Sequence, residues 1–172
     1  DGDDVAATDS GGSHAHAAAA RYGVGYDGGV FQPAKNLTQW DLVALLASLE
    51  GYCIDPETAD ESTRDTVYSV AYRMGILPRG TRDEGRAVTR GQAVKCLLDC
   101  AGYGPAARLQ GIYTCTYSDA AAIPEADLGY AAIAQALGMV RGSYQGDRTA
   151  TRGELAAMLC RLLERQGANA GA

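Results

Sequence analysis

The sequence predicts an all-α fold in which three helix-loop-helix repeats surround a central three-helix bundle with pseudo-threefold symmetry. Two observations predict it. A threonine that opens a helix-like stretch recurs at Thr38, Thr89 and Thr151, at intervals of 51 and 62 residues. A glycine stands 13 to 15 residues before each threonine and ends a second helical stretch. Such recurrence is typical of repeated supersecondary units. The three glycines are Gly23, Gly75 and Gly138.

The three threonines match the first position of a capping box. In this motif the threonine hydroxyl accepts a hydrogen bond from the N3 amide, while the N3 side chain accepts one from the cap amide. One such motif is a weak signal, but three in register indicate three equivalent helix starts. The pairs are Thr38 with Asp41, Thr89 with Gln92 and Thr151 with Glu154.

Each capped stretch carries an apolar stripe at helical spacing. Apolar residues lie four, seven, eight and eleven positions after each threonine, which places them on one helix face. We expect these faces to bury one another in the centre and shorter helices to pack outside. The stripes are Leu42, Leu45, Leu46 and Leu49, then Ala93, Cys96, Leu97 and Cys100, then Leu155, Met158, Leu159 and Leu162. The shorter helices are predicted at 15–22, 66–74 and 130–137.

The repeats divide the chain into five predicted segments. Residues 1–8 form an acidic N-terminal segment, which lacks the ligand order of a calcium loop and is interpreted as solvated acid. The first repeat covers 9–52, the second 53–104 and the third 105–165. Residues 166–172 are expected to be a disordered tail. Because the chain begins with Asp1, we expect a processed product or a fragment of a larger protein.

Charge and apolar patterning exclude two classes of partner. The chain of 172 residues has 15 basic and 21 acidic side chains and a net charge of −6. Nucleic-acid binding generally needs a basic face, so no nucleic-acid partner is expected. The longest apolar candidate covers only 42–49, well short of the roughly 20 residues that span a bilayer, so no membrane insertion is expected.

The sequence contains no catalytic motif and only a weak candidate for metal binding. His14 and His16 form an isolated pair, which is a weak metal signal, and no nucleophile triad, P-loop or dinucleotide fingerprint is present. We therefore expect no enzyme activity, no metal and no cofactor. The five cysteines include no CxxC pair, which argues against a zinc ribbon. Cys53 and Cys115 lie in connecting segments and are either bridged or free.

Several motifs together resemble S-layer homology repeats, in three tandem copies over residues 5–165. Residues 25–33 read Gly-Tyr-Asp-Gly-Gly-Val-Phe-Gln-Pro, close to the family's Gly-Tyr-x-Asp-Gly-x-Phe-x-Pro loop. Residues 89–92 and 151–154 read Thr-Arg-Gly-Gln and Thr-Arg-Gly-Glu, similar to its Thr-Arg-Ala-Glu helix start. Residues 117–119 resemble the start of a repeat, and residues 14–16 stand where the family has His-Trp-Ala.

The resemblance implies a non-catalytic, extracellular module. Members of this family hold surface proteins on bacterial cell walls by binding secondary cell-wall polysaccharide, often modified with pyruvate ketals, in grooves between repeats. The arginine of the helix signature helps to bind the acidic sugar. By position this role passes to Arg90 and Arg152, whereas the first copy has Gln39. The resemblance also implies that the chain belongs to a larger surface protein.

General chemistry supports an anionic ligand at the helix starts. A helix N-terminus offers unpaired amides and a partial positive charge, and an arginine there adds a forked donor. Residues 79–90 and 141–152 each carry a net charge of +2. Alternatively, the arginines are solvated or paired with a capping acid, and the aromatic residues pack in the core. The predicted ligand-binding set is Arg90, Arg152, Thr89, Thr151, Gln92, Glu154, Tyr26, Trp40, Asp119 and Tyr144.

Two other functions remain open at this point. The chain is alternatively a protein–protein interaction module for surface-layer or extracellular assembly without glycan binding. The glutamine at position 39 and the imperfect loops at 77–85 and 141–146 favour this alternative. A hydrolase acting on cell-wall material is the third candidate, and we expect no turnover.

Overall fold

The computed structural model describes residues 26–27, 30–52 and 54–170, and the fold is all-α as predicted. A short 3-10 turn at Ala120–Ala122 precedes the fifth helix, and two-residue strands β1 (Tyr26–Asp27) and β2 (Val30–Phe31) pair antiparallel. The helices of the described residues are α1 (Gln39–Leu49), α2 (Glu61–Arg73), α3 (Arg90–Cys100), α4 (Gly104–Ala107), α5 (Glu125–Ala136) and α6 (Arg152–Ala170).

Helices α1, α3 and α6 begin directly after the three threonines, as the capping pattern predicts. Full capping boxes are present at Thr38 and Thr89. At Thr151 the hydroxyl accepts a hydrogen bond from the amide of Glu154 at 3.2 Å. A cap of this kind contributes about 1 kcal/mol to helix stability. The local sequence therefore fixes where the three long helices start.

A closed ring of three backbone hydrogen bonds joins the segments just before these helices. The amide of Leu37 donates to the carbonyl of Ala150 at 2.9 Å, and the amide of Ala150 donates to the carbonyl of Val88 at 2.8 Å. The amide of Val88 completes the cycle by donating to the carbonyl of Leu37 at 2.9 Å. All three residues are buried. The three helix starts therefore meet around one point; the repeat boundaries themselves stay a prediction.

The main core lies between the long helices, where the predicted stripes meet. Nine of the twelve stripe residues are buried, while Leu49, Cys96 and Cys100 are half-buried. A second, smaller cluster lies between α1 and α2. Its members are Trp40, Val43, Ala44, Ala47, Val67, Tyr68 and Ala71.

The helices outside the bundle start earlier than predicted. Helix α2 begins at Glu61 rather than at residue 66, because the carboxylate of Asp60 caps it by accepting the amide of Thr63 at 2.8 Å. Helix α5 begins at Glu125 rather than at residue 130. Both end as predicted, at glycines with φ of +73° and +71°, a conformation that glycine adopts without steric cost. These are Gly75 and Gly138.

Two further expectations differ from the structure or fall outside it. Helix α6 continues to Ala170, whereas residues 166–172 were expected to be a disordered tail. Glutamine and alanine favour the helix there, and one internal glycine costs only about 1 kcal/mol. Cys115 is a free thiol. The predicted helix at 15–22, His14, His16, Cys53 and the segment 1–8 lie outside the described residues.

Candidate functional site

The first-turn amides of the capped helices are already hydrogen-bonded. In α3 the amide of Arg90 donates to the carbonyl of Arg148 at 2.8 Å, and that of Gly91 donates to Gly146 at 3.0 Å. The next amide donates to the cap, Thr89, at 3.2 Å. The expectation that these amides form an open anion cradle is therefore corrected: they join neighbouring segments, because a buried donor needs a partner.

The same connections recur at the other two helix starts. In α6 the amides of Arg152 and Gly153 donate to the carbonyls of Lys35 and Pro33 at 2.9 and 3.0 Å. In α1 the first two amides donate to residues 86 and 84 at 2.8 and 3.2 Å. A Cβ at residue 153 would lie 2.9 Å from that of Pro33. This close approach explains why residue 153 is a glycine.

Arg90 is a buried link between α3 and the start of α6. Its side chain is 3% exposed, and its Nη1 donates to Oε2 of Glu154 at 2.6 Å. Its Nε donates to the carbonyl of Tyr144 at 3.0 Å. Glu154 also accepts Nη1 of Arg148 at 2.8 Å. The alternative of pairing with a capping acid therefore describes Arg90, which faces the start of α6 rather than solvent.

Arg152 makes the corresponding link to α1 but does not use all its donors. Its Nε and Nη2 donate to the two carboxylate oxygens of Asp41 at 3.3 and 3.1 Å. Asp41 also accepts the amide of Thr38 at 3.1 Å, so one carboxylate serves both the cap and the ion pair. The Nη1 of Arg152 is buried and has no hydrogen-bond partner among the described residues.

These pairs follow a cyclic rule. The residue after the threonine of one helix contacts the N3 capping acid of the next helix in the cycle, which gives Arg90 with Glu154 and Arg152 with Asp41. At the third position of this cycle the corresponding residues are Gln39 and Gln92, and both are uncharged. The charged partners are therefore absent together at that interface.

Gln39 stands where the other two helix starts carry an arginine, and its buried amide connects three segments. It is 5% exposed, and its Oε1 accepts the amide of Asp83 at 2.7 Å and the hydroxyl of Tyr68 at 3.0 Å. Its Nε2 donates to the carbonyl of Thr81 at 3.0 Å. The interface at this third position of the cycle is thus held by neutral hydrogen bonds.

The predicted aromatic walls of the site are core residues where the structure describes them. Tyr144 is 1% exposed and packs on Tyr117 at 5.6 Å between ring centroids. Trp40 is 7% exposed, stacks on Tyr68 at 6.2 Å and donates from Nε1 to a backbone carbonyl. The side chain of Tyr26 lies outside the described residues. The structure therefore brings neither Trp40 nor Tyr144 to an open surface.

Asp119 organises the loop that carries Tyr144. Its two carboxylate oxygens accept the amides of Tyr144 and Gln145, each at 2.7 Å. Partial burial opposes ionisation, but these hydrogen bonds prevail and lower the pKa of Asp119. Gln145 has a φ of +48°, a left-handed conformation that the two bonds hold in place. The role of Asp119 in the structure is therefore to shape a loop.

A charged cluster that the sequence analysis did not single out lies beside α1 and α2. The guanidinium carbons of Arg64 and Arg82 each lie 4.7 Å from an aromatic centroid, that of Trp40 and that of Tyr68 respectively. The carboxylate of Glu84 accepts hydrogen bonds from both arginines. We call these three charged residues the Arg64–Glu84–Arg82 cluster. Arg64 and Glu84 are 20 residues apart, so no local sequence motif predicts that they pair.

Two further observations on the described residues concern metal binding and membrane insertion. Within residues 26–27, 30–52 and 54–170, no group of three or more potential metal ligands is found. Within the same ranges, no helix combines the length and apolar character needed to cross a bilayer. No protein-family model matches the chain, and no curated protein matches it either.

Proposed function

We propose that the chain is a non-catalytic, extracellular module that anchors a larger surface protein to the bacterial cell wall by binding an acidic secondary cell-wall polysaccharide. The observation that carries the proposal is the unsatisfied Nη1 of Arg152. A buried donor without a partner costs about 1–3 kcal/mol, and a sugar carboxylate would supply the missing acceptor once the groups that cover Nη1 move aside on binding.

The two arginines of the helix signature take different roles in this proposal. Arg152 is the ligand arginine, because Asp41 fixes one edge of its guanidinium and leaves Nη1 for a second anion. Arg90 is a structural link, because Glu154 and the carbonyls of Tyr144 and Ser143 occupy its guanidinium. The number of glycan sites is therefore smaller than the number of helix starts.

Binding of purified cell-wall polysaccharide by isothermal titration calorimetry tests the proposal. Loss of a charge-assisted hydrogen bond of about 1.5–3 kcal/mol predicts that Arg152→Gln weakens binding roughly ten- to hundredfold. Arg90→Gln is the matched control, because it removes an equally buried arginine and leaves the ligand donor intact. If folded Arg152→Gln binds as tightly as the unmodified protein, the proposal fails. Binding should also weaken as salt is added.

A second candidate, a protein–protein module for extracellular assembly, is supported by a different observation. Leu109 and Ile112 are 55% and 65% exposed in the connection between α4 and α5. Contiguous exposed apolar surface favours association with another protein, and these two side chains lie three positions apart in one connection. Self-association or partner binding that persists at high salt, and that is lost in a Leu109→Ser, Ile112→Ser variant, would support this function over glycan binding.

A further inference from the structure

We propose that Arg64 and Arg82 form a second carboxylate-binding site, which Glu84 fills in the structure, and that it takes the carboxylate of an acidic sugar when the Glu84 side chain is displaced. The site lies beside the interface that Gln39 holds with neutral hydrogen bonds. The inference rests on the proposed function only for the choice of an acidic sugar as ligand.

The two guanidinium groups are held in place by contacts other than those with Glu84. Arg64 stacks on Trp40, and its Nε donates to the carbonyl of Ala59 at 3.1 Å. Arg82 stacks on the ring of Tyr68. Such cation–aromatic contacts orient a guanidinium and leave its edge free to donate. Two forked donors therefore converge on one carboxylate.

The fold does not require a carboxylate at position 84. The backbone carbonyl of Glu84 accepts the second amide of α1, which is the role of Gly146 for α3 and of Pro33 for α6. The two equivalent positions therefore carry no charged side chain. Glu84 is an addition specific to this loop, and its carboxylate behaves as an internal ligand.

The cluster is open enough for exchange with an external ligand. The side chains of Arg64, Arg82 and Glu84 are 25%, 27% and 29% exposed. Glu61 and Asp65 also pair with Arg82, and their side chains are 74% and 64% exposed. Without Glu84 these four remaining side chains carry two positive and two negative charges. Among the described residues Glu84 is the only carboxylate that pairs with Arg64, so an external carboxylate would take its place on the vacated edge of both guanidiniums.

Titration with sodium glucuronate, followed by calorimetry on the full chain, tests the proposal. We expect Glu84→Ala to bind glucuronate at least tenfold more tightly than the unmodified protein, and glucose to bind to neither. Adding Arg64→Gln should abolish the gain. Glu125→Ala, which removes an exposed carboxylate at the start of α5, should leave binding unchanged. A folded Glu84→Ala protein that binds no more tightly than the unmodified one would overturn the proposal.

A second measurement covers the case in which Glu84→Ala does not fold. In the unmodified protein, a large excess of glucuronate should shift the Nε–H nuclear magnetic resonance signals of Arg64 and Arg82, while sodium chloride at equal ionic strength should not. Absence of a glucuronate-specific shift would overturn the proposal. Arg152→Gln should leave this response intact, so failure of the polysaccharide proposal and failure of this one are distinguishable.

Discussion

The buried ion pair between Arg90 and Glu154 allows a sharp test of how the helix starts are held together. The two side chains are 3% and 9% exposed, so solvent screens them little. Removing one partner of a buried pair typically costs about 3–5 kcal/mol, because the other charge stays buried and unpaired. Arg90 keeps its bond to the carbonyl of Tyr144, which places the expected loss for Glu154→Gln near the lower end of that range.

The double variant should be more stable than Glu154→Gln alone. Arg90→Gln combined with Glu154→Gln places at this interface the residue types that stand at the corresponding positions, Gln39 and Gln92. We expect it to recover more than half of the lost free energy of unfolding, because no uncompensated charge remains buried.

Urea denaturation followed by circular dichroism measures both effects. With a slope of about 2 kcal/mol per molar urea, the single variant should lower the midpoint by roughly 1.5 M. Asp127→Asn is the control, because its pair with Lys95 is more exposed and worth only about 0–1 kcal/mol. If Glu154→Gln behaves like that control, or if the double variant loses the sum of both single losses, the reasoning is refuted.

Three further predictions concern backbone packing, pH and thiol reactivity. Gly153→Ala should destabilise the protein in a melting experiment because the new Cβ meets Pro33 at 2.9 Å, whereas Gly167→Ala, with open space around it, should stabilise α6 by about 0.5–1 kcal/mol; equal effects would contradict this. The folded-state pKa of Asp119 is lowered, so its contribution is present above about pH 4 and is lost as pH falls further. The stability difference between the unmodified protein and Asp119→Asn should therefore shrink on acidification, and a difference that is constant with pH argues against it. Burial raises the pKa of Cys96 to about 12, so iodoacetamide at pH 8 should label it far more slowly than an unfolded control; equal rates would contradict the burial.

The helix starts were predictable because capping depends on residues three positions apart. Thr89 and Gln92 lie within one helical turn, and the hydroxyl–amide geometry follows from that spacing alone. The start of α2 was missed because Asp60 lies among several acidic residues, and the sequence does not mark which carboxylate caps the helix.

The partners of the arginines were not predictable from spacing. Arg90 and Glu154 are 64 residues apart, and Arg152 and Asp41 are 111 apart. Only the cyclic order of the three helix starts brings each pair together. The sequence does show that Gln39 and Gln92 are both uncharged where the other helix starts carry charged residues. It does not show that these two positions correspond to one interface, because that depends on the order of the helices around the ring.

The ring formed by Leu37, Val88 and Ala150 also sets a limit on how such a protein can grow. In an open array, a further unit stacks on the last one and the assembly simply lengthens. Here the N–H of each of these residues donates to one neighbour and its C=O accepts from the other, so none of the three has a backbone group left to bind a further unit. A fourth unit could join only if one of these hydrogen bonds were broken. Deleting any one of the three residues would leave one of the other two without an acceptor for its N–H and the other without a donor to its C=O.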